Sequence, residues 1–324
     1  MANRTALVIG ASGGVGGEVA RTLLARGWRV RALNRNVADA AARKPGLGVE
    51  WIGGDAMCPD DVIAAATGAS LIVHGANPPG YRNWSGTVIP MLESSIAAAR
   101  ASGARILFPG TIYNYGRDAF PVLRETSPQN PATRKGALRV AMERRLLETA
   151  SNGVRSVIVR AGDFFGPRSG NSWFAQGLIT PGKAVTRVTY PGPPEIGHAW
   201  AYLPDVAETM VQLIEREDRL ATFDTFHMKG HWFARGDEIV DAIRRVVGRQ
   251  APMSRLPWWA IRVASPVVPL FREMSEMRYL WGSPFELDNA KLVSVLGTEP
   301  HTPTDDAIRA TLKGLASFPC SYIG

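Results

Sequence analysis

A chain of 324 residues that is 45% hydrophobic has the length and apolar content to bury one large core with a smaller lobe attached, which excludes a disordered or fibrous protein. The net charge of +8 favours anionic ligands, but the basic residues are dispersed, with no run of five or more and no interleaved aromatic platform, so no nucleic-acid partner is expected. Cys58 and Cys320 stand far apart, fit a reducing compartment and offer no metal-ligand spacing, so no metal is expected.

Met1-Ala2-Asn3-Arg4 leads directly into the first strand and leaves no room for a secretory signal, which makes cytoplasm the expected location. The apolar run 6–9 predicts a buried parallel strand, and Val15, Val19 and Leu23 recur every four residues as one face of a helix that Gly27 stops. Between strand and helix, Gly10, Gly13 and Gly16 are spaced G-x-x-G-x-x-G. Such a turn lets the backbone of Ser12, Gly13, Gly14 and Val15 approach a pyrophosphate, whose charge the free N–H groups of the helix start would hold. The strand before and the helix after give the context that separates a dinucleotide site from a merely structural turn.

Residues 28–33 predict the second strand, ending in Asn34-Arg35-Asn36 with no carboxylate. An acid there would bind a ribose 2′-hydroxyl and repel a 2′-phosphate, whereas Arg35 offers that phosphate a charged fork. NADP(H) is therefore preferred, with NAD(H) the second option; the alternative for Arg35 is a solvated surface residue. After a third strand at 49–53, Asp55 with Ala56 either reaches the adenine edge or caps the following helix. A fourth strand at 71–73 runs into His74-Gly75-Ala76-Asn77, and the backbone of Gly75, Ala76 and Asn77 is expected to pass close to the cofactor.

Strands at 105–108 and 155–159 and helices at 88–101 and 137–150 continue the alternation, which predicts an α/β doubly wound parallel sheet of the Rossmann kind. A Gly- and Pro-rich passage at 166–197 reads as loops and short strands over the cleft. Residues 198–203 resemble a strand and 204–215 a helix, so the chain is expected to return to the sheet at about 198–228. Helical patterns at 236–247, 274–281, 289–296 and 305–315 predict a smaller lobe. The division expected is a dinucleotide-binding domain of 1–165 with that return, and a substrate-binding lobe of 166–197 and 229–324. The apolar stretch 256–271 contains Arg262 and three prolines, is too short to span a bilayer, and reads as lobe packing or a pocket wall. No membrane partner is expected.

These features together resemble the extended short-chain dehydrogenase/reductase superfamily, in particular its nucleotide-sugar epimerase and dehydratase branch. The resemblance rests on VIGASGGVG at 8–16, GGD at 53–55, HGAN at 74–77, FPGTIYNYG at 108–116, VRAGDFFGP at 159–167 and HAWAYLPDVA at 198–207. It implies that Thr111, four residues before Tyr115-Gly116, polarises the substrate's carbonyl or alcohol. The alternative for Thr111 is a turn or cap. By the same resemblance Pro109, Gly110, Ala161, Gly162 and Phe164 border the cofactor. Tyr113 and Tyr115 read as pocket-wall aromatics, and His198 as a structural or solvated histidine.

The chain departs from the family at its acid/base pair. No tyrosine is followed four residues later by lysine. Alignment of 131–143 with the family's helix places Lys135 where Tyr belongs and Arg139 where Lys belongs. Both fall on one helical face, where Arg139 keeps the ribose hydrogen bonds and a permanent charge. Lysine exchanges protons at neutral pH only when burial beside other cations brings down its ordinary value of about 10.4. The pair therefore reads as catalytic, as binding a ligand without proton transfer, or as a solvated face. The function expected is an NADP(H)-dependent oxidoreductase or epimerase acting on a hydroxyl or keto compound, a nucleotide sugar being one candidate. The competing reading is a catalytically silent NADP(H)-binding sensor or scaffold. The resemblance also suggests a homodimer through a four-helix interface built from 88–101 and 137–150.

Overall fold

The computed structural model describes residues 4–78, 84–170 and 172–317. The first half alternates strand and helix: β1 (Thr5–Ile9), α1 (Gly14–Ala25), β2 (Arg29–Asn34), α2 (Val37–Arg43), β3 (Glu50–Gly53), α3 (Pro59–Ala65), β4 (Leu71–His74), α4 (Trp84–Ser102) and β5 (Arg105–Pro109). A two-residue β6 (Val122–Leu123) precedes α5 (Arg134–Ala150) and β7 (Ser156–Arg160). All five residues of β1, β5 and β7 are buried, as strands covered on both faces must be. Helix starts are set locally. Asn36 caps α2 by accepting from the Asp39 amide, and Thr133 caps α5 by accepting from the Gly136 amide at 3.0 Å.

The chain continues through β8 (Asp163–Phe165), β9 (Val188–Tyr190), β10 (His198–Tyr202), α6 (Leu203–Glu215), β11 (Phe223–His227), β12 (His231–Phe233), α7 (Glu238–Val247) and β13 (Met253–Arg255). It ends with α8 (Trp258–Ala264), α9 (Pro269–Glu276), β14 (Glu286–Leu287), α10 (Ala290–Leu296) and α11 (Thr304–Gly314). Seven strands form one sheet in the order β11-β7-β5-β4-β1-β2-β3, every pair parallel. This is the doubly wound Rossmann-like α/β fold. Strand β1 pairs with both β2 and β4, so the chain reverses its winding there and opens a crevice at the carboxyl ends. One apolar layer covers the sheet with α1, α6 and α10; the other does so with α3, α4 and α5.

Two sequence expectations are corrected. Residues 198–202 do not rejoin the main sheet: β10 pairs with β8 and β12 in a separate three-stranded sheet, because Trp200 and Tyr202 are buried among Phe165, Phe174 and Trp281 of a second, aromatic core. Only β11 returns, adding the edge strand beside β7. The stretch 256–271, expected as lobe packing or a pocket wall, packs through one side only, with Trp258 against the aromatic core and Ile261 4% exposed. It contains α8, whose Trp259 and Val263 are 75% and 73% exposed, and Val267 beyond it is 81% exposed. Among the described residues no helix is long and apolar enough to cross a membrane.

Candidate dinucleotide site and the cationic pair beside it

The first turn is built for close approach. Gly10 has φ of +93°, and a Cβ there would lie 2.5 Å from the Gly75 carbonyl oxygen; one at Gly16 would lie 2.4 Å from the Gly10 oxygen. Gly10 and Gly16 are thus required by packing of β1, α1 and the end of β4. Gly13 differs: a Cβ there would meet only the Gly10 oxygen, at 3.2 Å, and the residue is exposed together with Ser12. The Gly13 amide donates to Gly10 at 2.9 Å and that of Gly17 to Gly13 at 3.2 Å, so the amides of Gly14, Val15 and Gly16 have no acceptor within the helix. The first turn of α1 carries no acid, and Glu18 in the next turn is neutralised by Arg168 at 2.5 Å. A helix N-terminus in this state attracts an anion.

Beside the turn, a cleft of about 210 Å³ is lined by Gly10, Asn34, Arg35, Asp55, Ala56, Ala76 and Asn77, all singled out in the sequence, with Ile9, Leu33, Gly54, Met57, Pro78, Thr87 and Met91. Arg35 is exposed at its rim and, among the described residues, has no ion-pair partner. The Asn34 side chain accepts from the Asn36 amide at 2.9 Å. Asp55 does not cap α3, whose cap residue is Cys58; its Oδ1 accepts from the Met57 amide at 3.0 Å in a local turn. Gly75 closes the wall by contact with Gly16, while Ala161 and Gly162 are buried and Phe164 packs against the sheet core.

Thr111 follows β5 and caps the short helical turn Ile112–Asn114, its Oγ1 accepting from the Tyr113 amide at 3.2 Å. It therefore takes the cap role, with its hydroxyl proton uncommitted to that bond. Pro109 and Gly110 lead into it. The first turn of α5 sits directly on this segment, for a Cβ at Gly136 would fall 2.1 Å from the Tyr113 oxygen. Lys135, 6% exposed, belongs to this first turn, and Arg139 follows one turn later. The Arg139 guanidinium lies 5.3 Å from the centre of Trp84's ring and 5.6 Å from that of Phe108, with Nη1 3.5 Å from the Pro109 oxygen. Trp84, which the sequence reading does not single out, also donates Nε1 to Asn77 Oδ1 at 2.8 Å. Behind them His74 stacks on Phe108 and meets Ser95 Oγ at 2.8 Å; burial, aided by Arg139, holds its pKa down at about 3.

Under this surface lies a buried polar network that sequence inspection misses. Arg160 pairs with Glu143 and donates to the Tyr115 hydroxyl, which is 2.8 Å from His227 Nε2. His227 Nδ1 is 3.1 Å from the Leu123 oxygen. Burial raises the Tyr115 pKa, and burial with Arg160 lowers that of His227 to about 3. Tyr115 is thus a buried hydrogen-bonding residue and not the expected pocket wall. His198 is structural, held by Asp163 at 2.8 Å and stacked on Trp281 at 4.0 Å. Asp205, His231 and His301 bring donor atoms within 4.8 Å of one another, but Thr302 occupies both Asp205 oxygens and His231 Nε2, which makes the group a clamp between α6, β12 and the approach to α11.

The family model for the NAD dependent epimerase/dehydratase family matches residues 6–228. Among curated proteins, sterol demethylase protein B of Methylococcus capsulatus is 30% identical over 176 residues, 50% of this chain and 52% of that protein. The photosystem II assembly factor Ycf39 of Cyanophora paradoxa is 40% identical over 67 residues, 21% of each. The chain thus spans about half or less of the curated relatives it matches. Among solved structures, UDP-glucose 4-epimerase from Bifidobacterium longum in complex with NAD+ and UDP superposes with a TM-score of 0.71 at 16% identity, covering 96% of this chain and 97% of that one. UDP-glucose-4-epimerase from Stenotrophomonas maltophila, with bound NAD and formylated UDP-arabinopyranose, gives 0.74 at 15% identity, covering 96% and 98%. Likenesses at this identity establish the fold.

Proposed function

The chain belongs to the NAD dependent epimerase/dehydratase family, and on that premise we propose that it is an NADP(H)-preferring oxidoreductase or epimerase in which Lys135 and Arg139 replace the usual tyrosine and lysine. The observation that supports this reading is the seating of α5's first turn, which carries Lys135, on the segment after Thr111, with Arg139 Nη1 3.5 Å from the Pro109 oxygen at the end of β5. The glycine cradle and the acid-free start of α1 fit a dinucleotide, with the amides of Gly14, Val15 and Gly16 toward its phosphates and Arg35 toward a 2′-phosphate. A bound nicotinamide supplies hydride exchange at a substrate carbon.

The remaining roles fall to this chain's own groups. Thr111 donates its hydroxyl proton to the reacting oxygen while its own oxygen stays anchored by the Tyr113 amide. Lys135 holds or moves the proton at that same oxygen. Arg139, braced by two aromatic faces, keeps its charge and donates to the ribose hydroxyls. Substrate recognition is assigned to 166–197 and 229–324, and a hydroxyl or keto group on a nucleotide sugar is the class favoured by the UDP ligands of the structural neighbours. A homodimer through α4 and α5 is part of the proposal, since Leu147 on α5 is 54% exposed; Leu147→Asp should shift a dimer to monomer in light scattering.

The missing tyrosine keeps a second reading in play, a cofactor-binding sensor without turnover. Purified protein mixed with NADPH and a panel of keto sugars, quinones and aldehydes separates the two by absorbance of the reduced cofactor. Turnover lost in Lys135→Met with NADPH affinity retained supports the enzyme with Lys135 at the proton. Tight NADPH binding with no turnover on any substrate, and none affected by Lys135→Met, favours the sensor.

A further inference from the structure

Two adjacent tryptophans divide α8 into an anchored and an unanchored side. Trp258 turns inward: its Nε1 donates to the Pro191 oxygen at 2.6 Å, its ring meets Trp173 at 6.1 Å, and the Arg278 guanidinium lies 5.6 Å above it. Ile261, one turn on, is 4% exposed. Trp259 and Val263, also one turn apart, face outward, and Val267 extends the same apolar surface beyond the helix end. Among the described residues five large apolar side chains are exposed, and three of them are these; the other two, Met57 and Leu147, belong to other elements. Such a concentration differs from the scattered apolar residues of an ordinary surface.

Charge identifies what covers it. In the segment that carries this face Arg255, Arg262, Arg272 and Arg278 are all exposed, with Arg262 on α8 itself. Glu276 is half-buried, its Oε1 accepting from the Arg134 amide at 3.4 Å, and among the described side chains of 255–278 no acid is exposed. A symmetric contact would set a segment with four exposed arginines against the same segment of a second copy, which argues against self-association here. A sheet of phosphate headgroups above acyl chains matches both halves of the surface: guanidinium forks for phosphate, and a tryptophan with two valines for the boundary below.

We propose that the outer face of α8, with Trp259, Val263 and Val267 and with the exposed arginines of the same segment, docks the protein on anionic phospholipid bilayers. The segment lies in the plane of the interface, which requires no spanning helix and is compatible with a chain whose net charge is +8. The proposal does not rest on the enzymatic reading.

The test is sedimentation of the full-length protein with extruded phosphatidylcholine vesicles, with and without phosphatidylglycerol. Expected is cosedimentation with the anionic vesicles, release by salt, a loss of about tenfold or more in partitioning for Trp259→Ser with Val263→Ser, and about fivefold for Arg262→Gln. Melting temperature and NADPH titration verify that the variants fold. As a measure that needs no variant, lipids brominated near the headgroup should quench tryptophan fluorescence of the parent protein. The proposal is overturned if the protein stays in the supernatant with both compositions, if folded variants bind as well as the parent, or if binding ignores lipid charge. It is also overturned if Trp259→Ser abolishes a concentration-dependent dimer, which would assign the face to a second copy.

Discussion

Replacing Arg35 by alanine tests cofactor choice without disturbing the fold. The local structure does not use the side chain: the Asn36 side chain caps α2, the Asn34 oxygen is engaged by the Asn36 amide, and the nearby Asp39 is already paired with Arg43. What is removed is a guanidinium at the rim of the cleft. A hydrogen bond to a charged group contributes about 1.5 to 3 kcal/mol; because Arg35 is exposed, solvent screening places the effect at the lower end, about 1.5 kcal/mol or roughly tenfold. NADPH, with its 2′-phosphate, should therefore bind Arg35→Ala about tenfold more weakly, while NADH changes by less than about twofold. Isothermal titration of both cofactors measures this, and the NADPH gap should narrow with added salt. Equal losses for the two cofactors, or a parent protein that prefers NADH, would refute the assignment of Arg35 to a 2′-phosphate.

The glycines of the first turn should separate into two kinds. Gly10→Ala, at φ +93° and 2.5 Å from a carbonyl oxygen, should lower the melting temperature markedly, whereas Gly13→Ala should melt near the parent yet bind NADPH at least about tenfold more weakly. Removing one member of the buried Arg160–Glu143 pair, as in Arg160→Met, should cost about 3 to 5 kcal/mol in urea unfolding, and adding Glu143→Leu should restore part of it. Stability should also fall as pH drops below about 6.5. His74 and His227 are held near 3 when folded, so the unfolded chain binds the extra protons, and each histidine withdraws about 2 kcal/mol by pH 5; His227→Gln should flatten the pH dependence of the urea midpoint.

Buried parallel strands were the most legible part of the chain. Residues 6–9, 106–108 and 157–159 are continuous apolar runs at the heart of buried strands, as burial on both faces requires. Such a run does not say which sheet it joins, and this is why residues 198–202 sit with β8 and β12. Strand β11, FDTFH, interleaves polar residues at the sheet edge and gives no strand signal as strong. The cleft residues converge because each follows a strand end at the switch point, a rule tied to sequence position. The Arg160–Glu143–Tyr115–His227 network was not legible, since Tyr115 and His227 are 112 residues apart and only tertiary packing brings them together. For 256–271 the failure had the opposite cause: apolar composition implies burial, and α8 shows only one of its sides to the core.

The same network shares helix α5 with the proposed Lys135–Arg139 pair. Lys135, Arg139 and Glu143 stand at successive four-residue steps along α5, so their side chains share one face. By spacing alone Glu143, four residues after Arg139 on α5, is within reach of it. Instead both Glu143 oxygens are turned to Arg160 beneath the strand ends. Arg139 lies over the rings of Trp84 and Phe108, contacts that orient a guanidinium. One of the two carboxylates of α5, Glu143, is thus committed to Arg160 in the interior. This arrangement links the buried pair to the proposed cofactor chemistry: releasing Glu143 with Arg160→Met should weaken NADPH binding as well as stability, whereas the double substitution with Glu143→Leu, which removes the competing acid, should recover the binding.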